Sequence, residues 1–282
     1  MIESGFAFVA ALLFIAAVIV QLDKKFRTFF EYVPGIVVLY FLVMTLSTLG
    51  FWKQTDEINF YYNQLKNNIL PAMIFLMLLH CDLKKILKLG PRMLLGFFSA
   101  SFTIATGSIV VYFLFKGHFE PHTWKTFAAL CGSWMGGTGN MAAVQLALGV
   151  ADSQMGYTLI MDSVNYAVWV MLLLMAVPYA RHFNNWTKAD TSQIDAVGAS
   201  LMSEKTDQPL PTTFHDLILL LGTSFMVAAV SQYVAPMLPT SSFVSTYSWV
   251  VLIATAAGII AALTPLGKTS GISMLASLML YL

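Results

Sequence analysis

Charge is what this sequence has least of. Asp, Glu, Lys and Arg make up 10% of its 282 residues, where an ordinary soluble domain carries about 25%. With 58% hydrophobic residues and a mean hydropathy of +0.74, the chain reads as an all-α, polytopic membrane protein. Cysteine is scarce as well. Cys81 and Cys131 have no metal-ligand spacing and read as packed thiols, not as a zinc or disulfide framework. No basic cluster is interleaved with aromatics, which sets nucleic acid aside as a partner. No glycine-rich loop ends in Gly-Lys-Ser/Thr, so nucleotide-driven transport is not supported. Neither HExxH nor a Ser-His-Asp order is present, and an enzyme is not expected.

What the chain does have is apolar runs. Spans need about 17–25 apolar residues, and nine segments qualify or nearly so: 5–22, 33–51, 68–81, 93–115, 126–150, 157–180, 217–237, 249–263 and 271–282. The first lacks a basic leader and is followed by Asp23-Lys24-Lys25-Phe26-Arg27, so it reads as a retained helix. The last ends without a polar stop, as though the chain continued beyond it. Lys24, Lys25 and Arg27 follow the first span; Lys84, Lys85, Lys88 and Arg92 follow the third. Cationic loops lie in the cytoplasm, which places the N-terminus outside a cell inner membrane. Residues 52–67 are read as an outer loop, and Pro71 as lying near a helix start, where proline is accepted. The polar segment 181–216 reads as a linker, extracytoplasmic if 126–150 counts as one crossing. Hydropathy order suggests an inverted repeat: residues 1–32 an extra helix, 33–180 one five-helix unit, 217–282 the start of a second.

The fifth segment is the unusual one. Gly132-Ser133-Trp134-Met135-Gly136-Gly137-Thr138-Gly139-Asn140 holds four glycines in eight residues. Glycine loses the most backbone entropy on ordering, so a broken helix is expected there. Unwound backbone at membrane depth occurs only where protein buries it or water reaches it, and broken helices carry the sites of many secondary transporters. Asn140 could offer its amide to an ion or carboxylate, Ser133 and Thr138 their hydroxyls, and the half-helix beginning there its positive end. The competing reading is close packing through the Gly132–Gly136 GxxxG pair, in a continuous helix.

One segment later comes Asp162, the one acidic residue placed well inside a span. A carboxylate there costs a few kcal/mol, so it should face the interior or a cavity. Asn165, Tyr166 and Trp169 follow at i+3, i+4 and i+7, with Thr158 at i−4, and all share its helical face; Ser163 lies off it. The site reading is an ion ligand or proton acceptor; the plainer one is a structural Asp bonded to freed amides. Gln145 is a weaker candidate facing a cavity or a neighbour. His80, Cys81 and Asp82 form a cluster at a membrane boundary, and Asp152 lies in a short, solvated turn.

GSWMGGTGNMAAV, the stretch from Asn68-Ile-Leu-Pro71 to Asp82-Leu83-Lys84-Lys85-Ile86, and MDSVNYAVWVMLL together resemble the domain of unknown function 819 family. That family is similar to the cation/proton antiporter and bile-acid symporter superfamily. The resemblance implies inverted five-helix repeats, a panel and a mobile core, with Gly136, Gly137 and Asn140 at a crossing of broken helices. It puts Asp162 in the place of an ion-binding aspartate. The expected function is therefore secondary transport, H+- or Na+-coupled, of a small solute, with an organic anion among the options, by an elevator-like motion. A non-transporting scaffold is the alternative. Expected partners are the solute, the coupling ion and the bilayer, with a homodimer open; no cofactor is expected beyond a bound H+ or Na+.

Overall fold

The computed structural model describes residues 1–81, 86, 90–188, 211–241 and 244–281. These residues form twelve α-helices: α1 (Gly5–Lys25), α2 (Arg27–Tyr32), α3 (Gly35–Thr48), α4 (Asp56–Leu79), α5 (Gly90–Phe115), α6 (Thr123–Gly136), α7 (Thr138–Leu148), α8 (Asp152–Ala176), α9 (Ala180–Thr187), α10 (Phe214–Val234), α11 (Thr246–Ala262) and α12 (Ile272–Tyr281). Among the described residues the only extended pairing is a parallel bridge between Ile2 and Trp52. Four helical stretches are long and apolar enough to cross a membrane: 5–25, 90–118, 152–187 and 214–237. The chain is an all-helical membrane protein, as its composition requires.

The packing centre is α4. Thr55 caps it by accepting the amide of Ile58 at 3.2 Å, and Asp56 and Glu57 sit in its first turn, where the helix dipole favours them. Its second half is nearly all apolar, and residues 71–76 are buried on every side, as such a composition requires. Ala72, Met73 and Leu76 are fully buried, in one core with Leu220 and Ala228 of α10, Ala254 of α11 and Leu275 and Met279 of α12. Small residues set the spacing. Ser224, Ala228 and Ser231 are buried along one stripe of α10, and both hydroxyls turn back onto their own helix. Gly258 of α11 comes so close that a Cβ there would stand 2.9 Å from the Phe75 carbonyl oxygen. Small residues permit such approaches in membranes.

The helix α4 differs from its expected form in two ways. It starts at Asp56, so most of the anticipated outer loop 52–67 is helix, and Pro71 lies inside it. Proline removes the hydrogen bond to the carbonyl four residues earlier, which is that of Asn67. Gln232 of α10 donates its Nε2 to that carbonyl oxygen at 2.8 Å, and to Asn68 Oδ1 at 3.1 Å. A neighbouring helix thus replaces the bond that proline deleted, the usual condition for proline within a buried helix.

The starts of α1 and α4 are level, since the Gly5 amide donates to Glu57 Oε1 at 2.8 Å. Phe8, Trp52 and Ile58 pack together there. Farther along, Ala16 and Ile19 of α1 meet Leu39 of the antiparallel α3. In contrast, α5 has no buried residue, and the second half of α8 is exposed on all sides. Phe97, Phe98, Phe102, Leu172 and Leu174 are faces that acyl chains would cover. The segment expected to be linker from 181 onward continues helical to Thr187. Residues 189–210 and the loop lysines Lys84, Lys85 and Lys88 lie outside the described residues.

Candidate functional site

The glycine run breaks the helix where expected. Gly137 separates α6 from α7 with φ 88° and ψ −177°, a conformation essentially closed to residues bearing a Cβ. The continuous helix required by the packing-only reading is therefore absent. The course of the chain differs from the expectation of one crossing, however. A Cβ at Gly132 would lie 3.1 Å from Val144 Cγ2 and 3.3 Å from the Asn140 carbonyl oxygen. In a helix that simply continued, residues twelve apart would stand about 18 Å apart. The two halves fold back on each other as a hairpin. With 14 and 11 residues, each is about 16–21 Å long, short of the ~30 Å of a hydrocarbon core. Glycine at 132 and 136 lets the arms touch, so the small-residue packing and the break are both real and belong to one device.

At the hairpin tip Ser133 Oγ donates to Asp162 Oδ2 at 2.7 Å. The two residues lie 29 apart in sequence and are joined only by this fold. Around them is a cleft of about 430 Å³ lined by Ser133, Trp134, Gly137, Thr138, Asp162, Ser163, Tyr166 and Trp169, and closed by Pro34, Ile36 and Val37 at the start of α3. The Trp134 and Trp169 rings stand 6.2 Å apart at an angle of 56°. Asp162 is half-buried, and neither ion pair among the described residues involves it. The N-terminus of α7 opens at the same point with no side-chain cap; the Asn140 and Met141 amides donate to the Gly137 carbonyl, which leaves those of Thr138 and Gly139 without intrahelical acceptors.

Of the residues expected at this site, Ser133, Gly137, Thr138 and Asp162 line the cleft together. Gly136 and Asn140 are at the tip but outside the cleft; Asn140 is exposed, with its amide packed over Gly136. Asn165 does not belong there either: it is exposed and donates to the Met161 carbonyl at 2.8 Å. Thr158 is buried and donates to Gln154 O. Ser163, expected off the polar stripe, does line the cleft. The polar stripe rotates because the hairpin approaches α8 from the Ser163 side of Asp162.

A second polar centre was not anticipated. Asp152, expected to be solvated, opens α8 at the base of the hairpin. Its Oδ1 accepts from Lys66 Nζ at 2.6 Å and from Gln145 Nε2 at 2.8 Å. The Tyr40 and Tyr62 phenols lie beside the same carboxylate. These groups line a cavity of about 170 Å³ whose other walls are apolar, among them Leu12, Leu39, Val43, Leu65 and Ile69. Lys66 sits ten residues into α4 and Leu12 seven into α1, which puts the pair about 10–15 Å inward from the level helix starts. The Lys66 side chain retains 19% of its exposure and that of Asp152 41%. A sequence signal for it existed: Thr55-Asp56-Glu57 is a helix start, and Ile58, Tyr62, Leu65 and Ile69 keep one face after it.

No solved structure matches the chain. It is 24% identical over 228 residues to the "Uncharacterized membrane protein YjcL" of Bacillus subtilis (strain 168), an alignment covering 78% of this chain and 54% of that protein. The chain thus spans about half the length of this curated relative. The family model DUF819, described as a protein of unknown function, matches residues 10–282, and the chain belongs to that family.

Proposed function

We propose that the protein is a secondary active transporter, driven by H+ or Na+, that moves a small solute by shifting the hairpin against the α1–α3–α4 panel. The observation that carries this reading is Asp162: a half-buried carboxylate beside the tip of a broken helix, hydrogen-bonded to Ser133, with no cationic partner among the described residues, in a cleft. A carboxylate without a counter-charge at depth is unfavourable unless a cation or proton joins it. Asp162, Ser133 and Thr138 supply the oxygens a hard cation takes. The uncapped α7 terminus beside them favours negative charge, so an anionic group of a solute fits the same tip. The reading is of a carrier and not of an enzyme.

A hairpin that returns to its own side changes the sidedness argument. With the charge rule retained and the N-terminus outside, the hairpin enters from the outer face. The helix α9 then comes to the cytoplasmic side, where Arg181, His182 and Lys188 are favourable. In this reading 33–180 and 217–282 belong to two inverted units.

Reconstituted in proteoliposomes under an imposed pH or Na+ gradient, the protein should show gradient-dependent solute flux, and Asp162→Asn should abolish it. Unchanged flux in that variant would refute the site.

A further inference from the structure

The cavity at the hairpin base holds chemistry that the Asp162 site does not use. Lys66 is the only described lysine or arginine lining either interior cleft. It carries three donors, one of which goes to Asp152. The titratable groups around Asp152 are Lys66 and Tyr62 on α4 and Tyr40 on α3; α7 contributes the neutral Gln145, α1 only Leu12, and α12 brings Tyr281 to the cavity wall. Everything else lining the space is aliphatic or thioether. A cavity of about 150 Å³ accepts a molecule the size of benzene, so 170 Å³ fits an apolar body of about six carbons.

We infer that this cavity binds a monocarboxylate with a small apolar body, and that each carboxylate enters with one proton. The inference goes beyond the transport reading: it adds at the hairpin base a carboxylate site distinct from the Asp162 tip. The reasoning is one of charge. Lys66 and Asp152 together are neutral. A carboxylate that takes the Lys66 ammonium displaces Asp152 Oδ1 from it and would leave one uncompensated negative charge between the partly exposed Asp152 and the mostly apolar walls of the cavity. Such a charge is costly unless it is neutralised. A proton from solvent adds to the displaced Asp152 carboxylate, whose new O–H donates to a neighbouring oxygen. The Nζ–H···Oδ1 bond is exchanged for an Nζ–H···O bond to the ligand, and the occupied site is neutral again. A zwitterion would need no proton, and a cation would leave Lys66 facing a like charge.

Benzoate is the probe. Titrated calorimetrically into the detergent-solubilised protein in buffers of different ionisation enthalpy, it should bind with uptake of about one proton. Its Kd should fall about tenfold for each pH unit lowered between pH 8 and 6, as linkage for one proton requires. Asp152→Asn should still bind benzoate, with the pH dependence gone. The double variant Lys66→Gln/Asp152→Asn leaves no unpaired charge and keeps the fold, and should lose benzoate binding at least tenfold. No binding of benzoate, binding without proton uptake, or tighter binding of benzylammonium or leucine would overturn the inference. Asp162→Asn separates the two readings: it should abolish flux in liposomes while leaving benzoate binding intact. If flux depends on Asp162 but benzoate does not bind, the transport reading survives and this inference does not.

Discussion

Asp152 and Asp162 stand ten residues apart on the same helix, about 15 Å along its axis, and meet opposite surroundings. Asp152 is held at the base of the hairpin by a lysine and a glutamine from two other helices. Asp162 meets one serine hydroxyl at the tip and otherwise faces open space. The same side chain is ion-paired at one end of the hairpin and, among the described residues, without a cationic partner at the other. Its neighbours, and not its depth, decide which.

If the partner makes the difference, removing it should show first at the base. Lys66→Met leaves Asp152 as an unpaired carboxylate in an apolar cavity. Breaking a buried pair costs about 3–5 kcal/mol, and the partial exposure of Asp152 reduces this to about 2 kcal/mol, read as thermal unfolding in detergent. Adding Asp152→Asn should recover most of the loss; no recovery would mean that the lysine acts by packing alone. At the tip, Gly137→Ala forces a Cβ into a glycine-only conformation at a cost of about 1–3 kcal/mol. It should weaken ion-gradient-dependent flux as well, because Ser133 and Asp162 depend on that turn. Asp162→Asn removes a charge that lacks a counter-charge and should not lower stability, while abolishing flux, the reverse of the lysine variant.

The smallest effect belongs to a pair of another kind. Glu3 and Lys53 form an ion pair at the exposed edge where α1 and α4 begin. The hydrogen bond from Lys53, and then its charge, hold the Glu3 carboxyl below its usual range. A lowered carboxylate contributes stability above its unfolded pKa and loses it as pH falls through the folded value. Glu3→Gln should therefore leave thermal stability at pH 7 almost unchanged, with any small difference vanishing on acidification. Exposed pairs contribute little.

The break at Gly137 and the inward placement of Asp162 were legible because both are local. Glycine density speaks of backbone freedom over a few residues, and a lone carboxylate in an apolar helix is conspicuous. The reversal at the tip was not legible, because it depends on Gly132 meeting Val144 across the turn, and hydropathy cannot distinguish a long crossing from a hairpin of equal length. Lys66 and Asp152 were missed because their partner is 86 residues away. Each looked like an ordinary polar residue near a loop. Asn165 was misplaced because helical spacing gives the face of α8 but not which neighbour arrives at it.

The bond from Gln232 to the carbonyl that Pro71 leaves bare has a mechanical consequence. Sliding α10 along α4 by one helical turn, about 5.4 Å, would strip that oxygen of its donor inside an apolar core, at a cost of about 1–3 kcal/mol. The pairing therefore acts as a register pin. On the proposed carrier reading, α4 and α10 therefore travel together as one body.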